Sequence, residues 1–502
     1  MKTDWTRRGF LATTTQSALL GAGGLGFLSR LPRVSAAEAI LDPAMVRFRP
    51  EIEPLVRLLE DTPRERLLEE AGARIRAGTT HQEMITALLL AGIRNIQPRP
   101  VGFKFHAVLV VNSAHLASLN SPDSDRWLPV FWALDQFKSS QARDVQEGDW
   151  TMEPVLESAV PSSDRAAAEF AMGMDAWDTV RADTAAASLA RGGGAREVFD
   201  LFCRYGARDY RDIGHKAIYV ANSWRLLQTI GWQHAEPVLR SLAYALLAHG
   251  GTNPAGRDAL ADRPGRKNQE RLKELRATWN GGANRPETVA EMLAVLRAGT
   301  WDDSAAKAVA LINAGSSPQP LWDAMFQAAA EFLMRRPGII ALHACTTTNA
   351  LHHAFRHAAN DATRRFLMLQ NASFLPLFRD DAGAGDGIGI DTFEPLAGKA
   401  GGGEALDEIF AGLASDRLLA ARRTLAYLDA GGAPKAFTDA AQRLIYLKGT
   451  DSHDYKFSSA IIEDYQALSP AFRNRFLAAS VHWLKGSSEP ESPLVARSRA
   501  AL

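Results

Sequence analysis

The pattern of helix starts is the feature of this sequence that most limits how the chain can fold. Thr62 and Thr80 each precede a glutamate by three positions, which predicts capping boxes at two helix N-termini. Pro318 and Pro470 each follow a serine at the head of an apolar segment, where proline favours a first helical turn. Apolar residues then recur at helical spacing, whereas sustained strand-like alternation is absent. The sequence therefore predicts an all-α protein, a large antiparallel helical array or bundle with one main domain.

Composition limits the partners that the chain can have. Its 502 residues are 46% hydrophobic, and 57 Lys and Arg residues balance 57 Asp and Glu residues. This is enough apolar material for a large core, and there is no basic excess to bind phosphates. We therefore expect no nucleic-acid partner. The main domain is predicted to span residues 40–502, with polar loops at about 253–287 and 380–408.

Residues 1–39 have the three parts of an export signal, so they are predicted to lie outside the fold. Arg7 and Arg8 precede Gly-Phe-Leu and a mildly apolar segment, as in twin-arginine signals. Cleavage is predicted between about residues 36 and 39. We expect export to the periplasm by the twin-arginine translocation machinery, with no stable membrane span after cleavage; the alternative is an uncleaved anchor. The GAGGLG segment belongs to this signal and is not a dinucleotide site.

The chain contains two cysteines, Cys203 and Cys345. Two cysteines form no disulfide framework, and they are too few for a Cys-based zinc or iron–sulfur site. They are predicted either to pair with each other in an oxidising compartment or to remain as two buried free thiols.

Four of the twelve histidines fall within residues 342–357. His343 lies in an apolar stretch, and Thr346 and Thr347 follow it on the same side of the predicted helix. Such a polar row inside an apolar helix is either a hydrogen-bonded core network or a functional site. The other three histidines are predicted to lie on the solvated end of the helix, because charged residues surround them. These three are His352, His353 and His357.

Histidines in similar settings lie on other predicted helices, and polar residues follow them at helical spacing. Ser113 follows His106, Tyr219 and Asn222 follow His215, and Lys456 follows His453. A helical core can gather one side chain from each of several helices around a metal or a ligand. The candidate catalytic residues are His106, His215, His343, His453, Lys456 and Tyr219. The candidate substrate-binding residues are Asn222, Thr346 and Thr347, and the four candidate metal ligands are the four catalytic histidines.

Four short motifs, each containing one of these histidines, carry a resemblance to a known family. They are His106 with the apolar helix after it, His215-Lys216-Ala217-Ile218-Tyr219, His343-Ala344-Cys345-Thr346, and His453 with Lys456, Phe457, Ser458 and Ala460. In order and approximate spacing they resemble the questin oxidase-like family, helical proteins related to fungal Baeyer–Villiger-type oxygenases of aromatic polyketide metabolism. The resemblance extends over about residues 100–485.

The resemblance implies an oxidoreductase of monooxygenase type that acts on a small aromatic or ketone-containing molecule. NADPH as electron donor is implied by the resemblance alone, since no flavin or nicotinamide fingerprint lies downstream of the signal. Two positions depart from the family pattern: Phe105 stands where the family has Asn, and Tyr219 stands where it has Arg.

The residues themselves leave the chemistry open. The four imidazoles can ligate iron or copper, or, without a metal, one can act as a base while Lys456 stabilises an oxyanion. One alternative is a non-catalytic periplasmic binding or scaffold protein whose histidines are core hydrogen-bonding residues. Another is a His-ligated metal-dependent hydrolase, which normally requires a carboxylate beside the histidines. Asp135 is the one candidate for that carboxylate, although a lone Asp on a helix is expected at the surface.

Overall fold

The computed structural model describes residues 45–383, 385, 387–397 and 403–502, so the predicted export signal and its cleavage site lie outside the described residues. The described residues form 23 α-helices. In chain order they are α1 (Glu53–Asp61), α2 (Arg64–Arg76), α3 (His81–Asn95), α4 (His106–Leu109), α5 (Val111–Asn120), α6 (Leu128–Glu147), α7 (Ala166–Ala176), α8 (Thr179–Gly192), α9 (Ala195–Gly206), α10 (His215–Ile230), α11 (Ala235–Leu246), α12 (Arg263–Arg271), α13 (Pro286–Ala298), α14 (Trp301–Asn313), α15 (Pro318–Arg335), α16 (Ile339–His357), α17 (Asp361–Ala382), α18 (Gly403–Gly412), α19 (Arg417–Asp429), α20 (Pro434–Lys448), α21 (Ser452–Ala467), α22 (Pro470–Ser480) and α23 (Pro493–Ala501).

The all-α prediction is confirmed. Within the described residues no strand forms, and a single isolated bridge joins Ala283 to Ser316. One continuous hydrophobic cluster extends from Val46 to Ala501 and forms the core of the helical array. None of the described helices is both long and apolar enough to cross a lipid bilayer. Cys203 and Cys345 are buried and unpaired.

The predicted helix starts are correct except for one. The capping box of Thr80 and Glu83 is present, and α15 and α22 begin at their prolines. The predicted capping box at Thr62 is wrong. Helix α1 occupies the preceding residues as far as Asp61, and the Thr62 hydroxyl donates back to the carbonyl of Leu58 at 2.5 Å. The hydroxyl therefore caps the end of one helix rather than the start of the next.

The two predicted polar loops contain helices. Helix α12 lies inside 253–287 and is held mainly by polar contacts, because the Asn268 amide donates to Gln370 at 2.8 Å and to Ser373 at 3.0 Å. A helix anchored in this way lacks the apolar periodicity that the sequence pattern requires. In the second segment, α17 extends as far as Ala382 and α18 begins at Gly403, so the connection is shorter than predicted.

Helix α16 is the centre of the array. It packs against α10, α15, α17 and α21, and the residues from Ala341 to Phe355 are all buried. Helix α21 also packs against α5, and α10 packs against α4 and α5. This packing brings four helical segments, distant in sequence, around one point in the core.

Candidate metal centre

The four histidines predicted to gather do converge. One ring nitrogen from each of His106, His215, His343 and His453 lies within 4.8 Å of the others. His106 and His215 are the first residues of α4 and α10, whereas the other two lie in the first turn of α21 and the second turn of α16. Four separate helical segments therefore each contribute one imidazole to a single buried cluster.

In each ring the Nδ1 atom is the outer nitrogen, which faces away from the cluster, and the Nε2 atom is the inner one. Hydrogen bonds of the outer nitrogens set the orientation of the rings. Nδ1 of His106 lies 2.8 Å from the carbonyl oxygen of Phe103, and Nδ1 of His215 lies 2.6 Å from that of Asp212. Nδ1 of His343 lies 2.7 Å from the Ile339 carbonyl oxygen. Carbonyl oxygens only accept hydrogen bonds, so each of these Nδ1 atoms carries the proton and each Nε2 has a free lone pair.

His453 follows the same rule with a side chain in place of a carbonyl. Its Nδ1 hydrogen-bonds to the carboxylate of Asp451, which also caps α21 by accepting from the His453 backbone N–H at 2.7 Å. Burial would raise the pKa of Asp451, but hydrogen bonds from His453 outweigh it and hold that pKa below its usual range. A carboxylate bound to the outer nitrogen of a metal-ligating histidine is a common way to orient the ring and raise its basicity.

The inner nitrogens face one another without hydrogen-bond donors. Nε2 of His215 lies 2.9 Å from Nε2 of His106 and 2.9 Å from Nε2 of His343, while Nε2 of His453 has no hydrogen-bond partner. Lone pairs at this separation repel unless a cation lies between them. Metal–nitrogen bonds of about 2.0–2.1 Å would give nitrogen separations of about 3.3 Å around a tetrahedral ion. The observed separations lie on both sides of this value, with two pairs at 2.9 Å and all four nitrogens within 4.8 Å of one another, so the rings would move to bind such an ion.

Two strained turns carry the carbonyls that orient His106 and His215. Both histidines start a helix after a short 3₁₀ turn, and both bond the carbonyl three residues earlier. Each turn contains non-glycine residues in the left-handed region, Phe103 in one and Asp212 with Ile213 in the other. Such conformations are costly and cluster at functional sites. In both turns the strained backbone therefore coincides with the carbonyl that orients an imidazole.

Gly214 allows the second of these turns to approach α16. Its φ is +80°, and a Cβ at this position would overlap the hydroxyl of Thr347. We expect Gly214→Ala to lower the free energy of unfolding by about 2–4 kcal/mol, because the left-handed backbone and the steric overlap each contribute. Urea unfolding followed by circular dichroism measures the change.

Two further variants separate the backbone contribution from the steric contribution to the loss of stability in Gly214→Ala. Gly431 has a φ of +85° with nothing within 4 Å of the added Cβ, so Gly431→Ala should lose about 1–2 kcal/mol from the backbone alone. Adding Thr347→Ala to Gly214→Ala should recover part of the steric loss. Equal losses at the two glycines, with no recovery in the double variant, would contradict a close approach at Gly214.

Lys456 is a buried amine beside the histidine cluster. It is one turn after His453, is fully enclosed and has no hydrogen-bond acceptor. Burial lowers the pKa of Lys456 to about 7, although Asp451 opposes the shift. Burial first, and then the charge of Lys456, lower the pKa of His106 and His215 well below 6.5. These histidines are neutral at physiological pH, as metal ligation requires.

A small cavity begins one turn beyond the histidines, between α5, α10, α16 and α21, and none of the four cluster histidines lines it. Its lining recurs at helical spacing from the cluster: Thr346 and Lys456 one turn on, Asn222 and Asn349 two turns on, and Arg225 and Glu463 three turns on. Ten residues of helix rise about 15 Å, so the last layer lies about that far from the imidazoles. The cavity volume is about 20 Å³, which is room for about one water molecule.

Arg225 and Glu463 close the far end of this cavity. The guanidinium of Arg225 pairs with the Glu463 carboxylate and also donates to Asn222 at 3.1 Å and to Asn349 at 3.2 Å. The Arg225 side chain is 11% exposed and that of Glu463 is 43% exposed. The ion pair therefore lies between the cavity and solvent.

The remaining candidate residues are buried but face elsewhere. The Tyr219 hydroxyl donates to Ser241 at 2.8 Å on α11, and Tyr219 does not line the cavity. Thr347 faces Gly214, and its hydroxyl has no hydrogen-bond partner. Arg225 and Glu463 were not among the sequence candidates. Both lie ten residues after a cluster histidine, His215 or His453, and this spacing was the signal that would have revealed them.

The prediction that the three histidines at the end of α16 are exposed to solvent is wrong for two of them. His352 and His353 are each 8% exposed, and His357 is half-buried. The ring of His352 packs on Trp322 from α15, and Nδ1 of His353 lies 3.5 Å from the Glu463 carboxylate on α21. Neighbouring helices cover this end, which local charge patterns do not reveal. As predicted, these three histidines lie outside the four-histidine cluster.

Asp135, the proposed hydrolase carboxylate, is not at the surface and is not part of the cluster. Its side chain is buried and accepts two hydrogen bonds from Arg64, at 2.8 and 2.6 Å. The ion pair explains how a carboxylate is tolerated on a buried helix face.

The centre is thus defined by the geometry of the chain itself: four inward imidazoles, one unpartnered amine and a small cavity one turn beyond them. The chain matches no family model, no curated protein and no solved structure.

Proposed function

We propose that this protein is a metal-dependent oxidoreductase of monooxygenase type, acting on a small aromatic or ketone-containing molecule. The observation that carries the proposal is the convergence of four buried Nε2 atoms whose outer nitrogens are all bound to acceptors. The oxidoreductase class is also supported by the ordered resemblance to the questin oxidase-like family.

A scaffold of core histidines accounts less well for the same contacts. A hydrogen bond between two Nε2 atoms needs a proton on one of them, which would make that ring an imidazolium because its Nδ1 already carries a proton. Burial and the nearby Lys456 lower the pKa of His215, so this extra charge is disfavoured. A bound metal ion relieves the repulsion and keeps all four rings neutral.

The ligand set favours iron or copper over catalytic zinc. Imidazole suits all three ions, but four protein ligands fill the tetrahedral shell of zinc, whereas catalytic zinc keeps a position for water. Iron accepts five or six ligands and so retains open positions with four histidines. No carboxylate is among the inward-facing ligands, because Asp451 bonds the outer nitrogen of His453, whereas a hydrolase would be expected to use one.

The surrounding side chains have separate roles in this proposal. A bound iron or copper ion would supply the activation of dioxygen. Lys456 donates to an oxygen atom of the substrate, Asn222 and Thr346 orient it, and the Arg225–Glu463 pair excludes water. Insertion of one oxygen atom leaves the other to form water with two electrons and two protons. By the family resemblance, a reduced nicotinamide nucleotide would supply the electrons.

The proposed location is the periplasm, after export by the twin-arginine route. This route carries folded proteins, so a metal can be loaded in the cytosol before export. The proposal depends on the sequence of residues 1–39 alone.

Metal analysis of the protein purified from its native compartment tests the proposed function. We expect about one iron or copper ion per chain, and dioxygen consumption when phenols and aromatic ketones are supplied with NADPH. The His215→Ala variant is the control, because it should consume no dioxygen under the same conditions. Stoichiometric zinc without dioxygen consumption would favour the hydrolase, and a protein that takes up no metal would favour the scaffold.

A further inference from the structure

We infer that a small anion binds at the Lys456 end of the cavity, with its negative atom between the metal position and the Lys456 amine. This inference rests on the proposed function, because it takes the four histidines as metal ligands. It adds a charge requirement to the substrate or co-substrate: the group that enters the site carries a negative charge, as a carboxylate, phenolate or enolate does.

The charges that line the cavity leave it positive. Lys456 and Arg225 are the basic residues that line it, and Glu463 is the one carboxylate that does. Glu463 is already paired with Arg225 at the far end. Four neutral imidazoles do not offset any charge on a divalent metal ion. A buried site with this surplus stabilises an anion, since uncompensated charge in a low-dielectric interior is costly.

The two carboxylates beside His453 are occupied. Asp451 is bound to Nδ1 of His453 and to its backbone N–H, so it faces away from the inner nitrogens. Asp454 pairs with Lys485 at 3.2 Å. Neither residue lines the cavity.

The Lys456 amine is a donor without an acceptor. A buried donor with no partner loses its hydrogen bonds to water without replacement, and native proteins seldom leave one in this state. Lys456 is one turn beyond His453 and lines the cavity, and its charge lowers the pKa of His106, His215 and His343, so the amine lies close to the metal position. Both protonation states of the amine donate hydrogen bonds, so an anionic acceptor satisfies it in either state.

The present closure of the cavity limits what fits without movement. Its volume of about 20 Å³ holds one water-sized group. Larger anions enter when the Arg225–Glu463 pair separates. The Glu463 side chain is 43% exposed, so it can turn outward into solvent.

The experiment uses the full chain loaded with Co²⁺, whose visible absorption changes when a ligand joins the metal. Fluoride tests an anion of about the size of one water molecule. Formate and formamide have the same number of heavy atoms and differ in charge, so they form a matched pair. We expect saturable spectral changes with fluoride and formate, and none with formamide.

Two lysine variants locate the effect. Lys456→Met should keep one Co²⁺ per chain and bind formate about 10- to 100-fold more weakly, the range for loss of a hydrogen bond to a charged group. Lys485→Met removes a cation from the same region but outside the cavity, so its formate affinity should match that of the wild type.

The outcomes separate this inference from the proposed function. A chain that takes up no metal overturns the proposed function and the inference with it. A chain that takes up metal but responds equally to formate and formamide, or to none of the probes, overturns the inference alone. Unchanged formate affinity in Lys456→Met also overturns it, because Lys456 would then not face the anion.

Discussion

Chains carrying His215→Ala are expected to lose stoichiometric metal binding. His215 is central to the cluster, because its Nε2 lies 2.9 Å from Nε2 of both His106 and His343. Four-ligand structural zinc sites bind their metal with about 10–16 kcal/mol, or about 2.5–4 kcal/mol for each ligand. Removing one ligand should therefore weaken the metal affinity on the order of 10²- to 10³-fold. Competition with a metal chelator of known affinity measures the change.

His115→Ala is the matched control for this variant. Both histidines are buried, and His115 lies on α5, directly beyond the segment that carries His106, but it is not part of the cluster. His115→Ala should therefore leave the metal affinity within a few-fold of the wild type.

Thermal unfolding gives a second measurement that does not depend on the chelator. A ligand that binds only the folded state raises the free energy of unfolding and therefore the Tm. At a ligand concentration of 100 times the Kd, the added free energy is about 2.7 kcal/mol. Added metal should raise the Tm of the wild type and of His115→Ala, and should leave that of His215→Ala nearly unchanged. Equal metal-induced stabilisation in all three chains would rule out the four histidines as the metal site.

The sequence predicted the members of the centre because their spacing is helical. His343 with Thr346 and His453 with Lys456 are pairs one turn apart, and period 3.6 places such residues on one face. The helical class and the apolar setting of the histidines were likewise local properties. Whether four such faces meet depends on contacts between residues more than one hundred positions apart, which one sequence does not report.

Tertiary contacts also account for the predictions that were wrong. His352 and His353 lie among charged residues in the sequence, but α15 and α21 cover them in the fold. Thr62 has the spacing of an N-cap, but the preceding helix ends directly before it. Helix α12 lacks an apolar face because it is anchored by amide and hydroxyl groups. In each case a partner distant along the chain, or the boundary of the preceding element, overrides the local pattern.

The second large effect is expected at the buried carboxylate beneath the turn that holds His215. Asp209 is fully enclosed, and both of its oxygens accept from the Lys216 amine at 3.1 Å. Arg211 and Arg208 lie 3.4 and 3.5 Å away. Burial alone would raise the pKa of Asp209, but these cations outweigh it and hold the pKa below its usual range.

Asp209→Asn keeps the size of the side chain and removes its charge. We expect the free energy of unfolding to fall by about 3–5 kcal/mol, because the ammonium of Lys216 would remain buried without its counter-ion. Asp439→Asn is the control, since its pair with Lys435 is exposed and should contribute less than about 1 kcal/mol. Urea unfolding at neutral pH measures both changes.

The position of Asp209 gives this variant a consequence at the centre. Lys216, the partner of Asp209, follows His215 directly in the sequence. Asp209 also accepts a hydrogen bond from the backbone N–H of Arg211, which is the first residue of the 3₁₀ turn. The Asp212 carbonyl in the same turn orients the His215 imidazole. Loss of the carboxylate should loosen that turn and weaken metal affinity about 10- to 100-fold. This is the typical effect of mutating residues that orient metal ligands without contacting the metal. Asp439→Asn should change neither stability nor metal affinity appreciably. If Asp209→Asn lost stability while keeping full metal affinity, the strained turn would be held by Gly214 and the helix packing, and the ion pair would serve the core alone.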